Sequence, residues 1–204
     1  MSAAAVSGAL LLAPIGLGLF EAVGYRRGRF LRAFWELPLD AKLEHIGRNE
    51  AAWWLMYLPW LATVAVTTGG LAGLAFVLSD VVGWVGFGCF VLAAMAWLMA
   101  ITQQSAGLSE AARQRAATGE TPPWAMATAR VSHVLELFWV GAANLAAVAY
   151  GVAVLRTDFL PGWLGLAVII TGFVVPLLAL AFRDAFPHLA LPALLALGVA
   201  LVLT

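Results

Sequence analysis

Six long apolar runs constrain this 204-residue chain more than anything else in it: residues 3–20, 51–78, 81–101, 132–155, 161–182 and 188–204. Crossing the hydrocarbon of a bilayer takes ~20 mostly apolar residues as a helix. Inside lipid every backbone N–H and C=O must be satisfied by the segment itself, so such runs form helices. The expected fold class is all-α, an integral membrane six-helix bundle forming one transmembrane domain over residues 1–204. The composition fits, with 63% hydrophobic and 11% charged residues, against about 25% charged in an average soluble domain. A single cysteine, Cys89, excludes an internal disulfide framework. Eleven basic and eleven acidic residues give net charge zero, which excludes the basic surface that nucleic-acid binding needs. The expected partner is the lipid bilayer.

Positive charge orients the runs. Arg26, Arg27, Arg29, Arg32, Lys42 and Arg48 lie between the first two, Arg113, Arg115 and Arg130 between the third and fourth, and Arg183 between the last two. Only Arg156 falls on the opposite side. Cytoplasmic loops collect Lys and Arg, so both termini are expected to be extracytoplasmic. The first run is not read as a secretory signal, because no Lys or Arg precedes it and a basic cluster follows. Residues 26–47 suit an amphipathic segment in the cytoplasmic interface, with Pro38 ending one helix and Asp40 capping a second short turn. Ser109 to Ala117 reads as a helical extension that Gly119 to Pro123 breaks.

The fourth run, cut from a longer helix of roughly Trp124 to Leu155, carries the polar residues most informative about chemistry. At about 100° per residue, and relative to His133, Arg130 lies near +60°, Glu136 near −60° and Asn144 near +20°. Asn144 lies about 12 Å deeper than Glu136 at 1.5 Å per residue. A polar stripe on an apolar helix faces a bundle interior or a wet cavity, because lipid cannot satisfy it. His133 and Glu136, three residues apart, suit an acid/base pair. Arg130 suits an anionic head group, and Asn144 orients the deeper part of a ligand. Val140 shares the stripe and is expected to tolerate a polar side chain. The bland alternative is an interfacial His and Glu that only orient the bundle. His45, His133 and His188 are all expected at the cytoplasmic side, yet no metal-ligand spacing links them. No metal is expected, and no cofactor is legible.

Other patterns concern packing. Gly69-x-x-x-Gly73 is a close-packing motif, equally suited to contacts within the bundle and between protomers. Pro59 and Pro176 are expected to kink their helices. Asp80-Val-Val-Gly83-Trp84-Val85-Gly86 opens the third run, and Asp158-Phe-Leu-Pro-Gly162-Trp163-Leu164-Gly165 opens the fifth. Either the hairpin is duplicated, or Trp and Gly sit where membrane helices generally place them.

The segment Arg156-Thr-Asp-Phe-Leu-Pro-Gly-Trp-Leu-Gly-Leu, followed by an apolar run containing Gly172, resembles bacterial polytopic membrane proteins of the domain-of-unknown-function kind. In those an outer Leu-Pro-x-Trp-Leu-Gly loop opens the penultimate helix. The resemblance covers roughly a third of the chain and implies a six-span protein of the bacterial cytoplasmic (inner) membrane. It carries over no catalytic residue. Two functional classes follow from the residues. One is a protein with a cytoplasm-facing polar cavity that binds or acts on a small lipid-like or isoprenoid-like molecule. The other is a non-catalytic subunit or scaffold of a membrane complex. An oligomeric transporter or channel is a third reading.

Overall fold

The structure, a computed structural model, describes residues 2–19, 37–182 and 191–203. Among these residues it is helical, without strands. In chain order the helices are α1 (Ala3–Leu11), α2 (Leu39–Arg48), α3 (Glu50–Leu78), α4 (Val81–Thr102), a π-helical turn (Gln103–Gly107), α5 (Leu108–Thr118), α6 (Pro123–Thr157), α7 (Gly162–Phe182) and α8 (Pro192–Leu203). Four described helices are long and apolar enough to cross a membrane: α3, α4 with its continuation to Thr118, α6 and α7. The apolar helices Ala3–Leu19 and Pro192–Leu203 are shorter. The expected amphipathic stretch over 26–36, with Arg183 and His188, lies outside the described residues.

The described chain divides into two compact units. The first comprises Met1–Pro14, Thr63–Trp97 and Glu136–Thr204; the second comprises Ile15–Ala62 and Leu98–Leu135.

The first unit is built on close helix contacts. Small residues let membrane helices approach when no hydrophobic force separates them from lipid. A Cβ at Gly8 of α1 would stand 2.9 Å from Gly198 O of α8. One at Gly165 of α7 would stand 2.8 Å from Gly151 O of α6. Gly73 of α3 abuts Ser7 of α1, and a Cβ at Gly70 would lie 3.0 Å from Leu11. The glycine motif of the second run therefore serves packing inside the chain, with Gly70 rather than Gly69 beside Gly73. Trp139 fills the centre, edge-on to Phe90 at 5.6 Å and stacked on Trp97 at 5.9 Å. Tyr150, fully buried, donates to Leu71 O at 2.7 Å.

Two tight turns close the hairpins of this unit. Ser79 and Asp158, directly after α3 and α6, adopt φ of 49° and 50°. Asp80 Oδ1 accepts the Val82 N–H at 2.9 Å, and its Oδ2 accepts Arg156 Nε at 3.0 Å. These partners hold its carboxyl below the usual aspartate value, the Val82 amide first.

In the second unit α2 lies on α5. Leu43 and Ile46 are buried, and Gly47 faces Ala112. Helix α2 opens at Leu39 with Pro38 at its N-cap, so Asp40 stands in the first turn instead of capping it. Its carboxylate is used elsewhere. It meets Arg115 Nη1 at 3.4 Å and accepts from the Thr121 hydroxyl. Arg113 bridges Glu50 at 3.1 Å and Glu110 at 2.8 Å. Helix α5 ends at Gly119, whose φ of 79° suits glycine and whose N–H returns to Arg115 O. The extension and break expected from sequence are both present.

Candidate functional site

Buried polar residues of the second unit gather at the π-helical turn. Helix α3 begins there with Trp53 and Tyr57, one turn apart and so on one face. Their rings meet edge-on at 5.1 Å, and both side chains are buried. Each then reaches across to the turn. Trp53 Nε1 donates to Ser105 O at 3.3 Å, and the Tyr57 hydroxyl donates to Gln104 Oε1 at 2.9 Å. A π-turn carries i→i+5 bonds and is wider than α-helix, which re-aims its side chains. Here the adjacent residues Gln104 and Ser105 are both buried.

The turn also changes the bonding of the helix that follows. A Ser or Thr inside a helix commonly donates to the carbonyl four residues back. Ser7, Thr68, Thr102, Thr118, Ser132, Thr157 and Thr171 all do so here. Ser109 does not. The carbonyl four residues before it is Ser105 O, which already accepts Trp53 Nε1. The Ser109 hydroxyl is left without a partner on a residue only 1% exposed. On the neighbouring helix, a Cβ at Gly107 would stand 2.8 Å from Thr128 Cγ2. Ser132, one turn further along α6, is also buried and donates to Thr128 O at 3.0 Å.

The ionised groups stay outside this cluster. Arg113, Glu110 and Asp40 are more than half exposed and engaged with one another's helices through the ion pairs above. Such pairs contribute little individually, about 0–1 kcal/mol, but they fix α2 and the start of α3 around α5. The arrangement can bind: it offers buried neutral donors and acceptors beside two aromatic rings. Among the described residues, no cluster of three or more His, Cys, Asp or Glu could hold a metal ion.

The four residues expected to form a site are distributed differently. Arg130 and His133 belong to the second unit and lie on an exposed side of α6. Glu136, half-buried, and Asn144, buried, belong to the first unit. Asn144 Nδ2 donates to Val140 O of its own helix at 2.8 Å. Val140 itself is 1% exposed, so the expectation that it sits on a wet face is corrected. The buried face of α6 passes through Ser132, Trp139 and Val140, not through His133. Trp53, Tyr57, Ser105, Ser109 and Ser132 escaped the sequence reading. The available signal was the run Gln103-Gln104-Ser105, too polar for a helix still embedded among apolar neighbours.

Comparison of the chain with family models, with curated proteins and with solved structures returned no match.

Proposed function

We propose that this is a multi-pass protein of a bacterial cytoplasmic membrane that binds a small lipid-like molecule at the rim formed by α3, the π-helical turn and α5. The observation that carries the reading is the buried polar cluster around that turn, where Tyr57 holds Gln104 and Trp53 holds Ser105. Buried polar groups are costly among apolar helices unless they are satisfied. A cluster kept there, beside aromatic rings, suits a ligand with a polar end and an apolar tail. The basic residues on the loops at this rim favour its lying on the cytoplasmic side. The proposed site lies wholly within the second unit, and the reading assigns binding without a chemical step.

Native mass spectrometry of the protein extracted into lipid nanodiscs tests it. The wild type is expected to carry a lipid-like molecule through purification. Tyr57→Phe and Gln104→Leu, which break the buried pair, are expected to retain less of it at equal folded content. A wild type that emerges free of any such molecule, and binds none on addition, overturns the proposal.

A further inference from the structure

We infer that the head group taken at this rim is the hydroxyl of an uncharged lipid alcohol, and that Ser109 is the residue that receives it. The inference rests on the binding reading above and adds to it the chemistry of the ligand. Among the described residues here, the buried polar side chains Trp53, Tyr57, Gln104, Ser105, Ser109 and Ser132 are all of uncharged types. Two described arginines of the same rim are committed elsewhere: Arg113 to Glu50 and Glu110, and Arg115 to Asp40. A phosphate or carboxylate entering the cluster would lose its hydration and, among the described residues, meet no fully buried cation in return. A neutral group loses far less.

Ser109 narrows the class further. Its hydroxyl is buried and lacks the back-bond to Ser105 O that its place in the helix would normally supply. Being one turn from Ser105, it shares the face that Trp53 approaches. A serine hydroxyl both donates and accepts. A carbonyl could take only its proton, whereas an alcohol matches both functions. An alcohol would thus complete the Ser109 hydroxyl, beside the aromatic edge on which an isoprenoid or alkyl chain would begin.

The test compares farnesol with farnesyl phosphate as probes, added to the full-length protein in nanodiscs and read by native mass spectrometry. Thermal unfolding runs alongside as the control for folding. The wild type is expected to bind farnesol more tightly than farnesyl phosphate. Ser109→Ala should weaken farnesol binding about tenfold, the value of one buried hydrogen bond, with no loss of thermal stability. Ser109→Thr, which keeps the hydroxyl, should restore most of the affinity. If folded Ser109→Ala binds farnesol as the wild type does, Ser109 is not the receiving residue and the inference fails. If farnesyl phosphate binds better, and Gln104→Leu weakens it, the uncharged head group is wrong while the binding site stands. If neither probe binds and nothing copurifies, both the inference and the proposed function fall.

Discussion

A hydroxyl inside a helix has an acceptor ready one turn back, and where another side chain takes that acceptor the hydroxyl is left over. At Ser105 the taker is Trp53, and Ser109 is left over. Removing a buried unsatisfied group recovers its desolvation penalty, about 1–3 kcal/mol. Ser109→Ala is therefore expected to raise the melting temperature of the ligand-free protein in detergent. Val140 argues the opposite way. It is buried on α6, so Val140→Gln should destabilise by about 1–3 kcal/mol, measured by the same melts. Its place was not legible in the sequence, because a helical wheel gives angles without saying which neighbour stands at each. His133 and Val140 lie close on the wheel, yet one is exposed and the other buried. Asp80 gives a pH dependence. Its folded carboxyl sits below the ordinary value of 3.8, through the Val82 amide and then Arg156. A depressed acid is stabilising while ionised in both states, so its contribution is complete above 3.8 and is lost as the pH falls through the lower folded value. Melting curves of Asp80→Asn should be less sensitive to acid than wild type in that window, and equal sensitivity would remove Asp80 from the acid response.

At the scale of elements, hydropathy located the long helices to within a few residues: α3, α4 and α7 begin and end close to the second, third and fifth apolar runs. Helix α6, Pro123–Thr157, is the longer helix from which the fourth run is cut; Pro at its first position and good helix formers carry it out of the apolar zone. The π-turn was not legible. It changes a hydrogen-bond register over five residues and leaves no period in the sequence to read. Asp40 was misplaced for a related reason, since a carboxylate near a helix start can cap it or pair with a cation, and Arg115 lies far away in sequence. The hairpin similarity, by contrast, extends into the backbone. Ser79 and Asp158 share a left-handed conformation and precede Gly83-Trp84 and Gly162-Trp163 by the same interval. The same offset relates Leu71 to Tyr150, which are joined by a hydrogen bond. The hairpins pack through glycine, which makes Gly165 the test of α6 against α7. A side chain there would strike the Gly151 carbonyl, and overpacking of this kind costs about 1–3 kcal/mol. Gly165→Val should lower the melting temperature, while Gly88→Val, with open space around it, should not. Equal melting of the two variants would mean that the glycine contact is not tight.

At the scale of the whole molecule, the number of crossings sets the side of the bilayer on which the N-terminus lies. Four helices are long enough to cross without argument. The described part of the first stretch, Ala3–Leu19, has 17 residues and that of the last, Pro192–Leu203, has 12, about 25 and 18 Å at 1.5 Å per residue against a hydrocarbon core of ~30 Å. Two observations favour their crossing as a pair. They are apolar along their described length, and Gly8 and Gly198 bring their backbones together, which suits helices that share one environment. A thinned bilayer or polar flanks can accommodate a short span at modest cost. Topology reads the answer directly, because removing the first crossing inverts the N-terminus and leaves the rest unchanged. In a Cys89→Ser background, single cysteines at Ser2, Ser79 and Glu120, all exposed positions, would be treated with a membrane-impermeant maleimide on spheroplasts. Ser79→Cys should label from outside and Glu120→Cys only after lysis, following the distribution of arginine. Ser2→Cys should also label from outside if the first helix crosses. Labelling of Ser2→Cys only after lysis, with the other two as expected, would place that helix on the cytoplasmic surface and reduce the number of crossings; labelling of Glu120→Cys from outside would invert the protein and move the proposed rim site to the opposite face of the membrane.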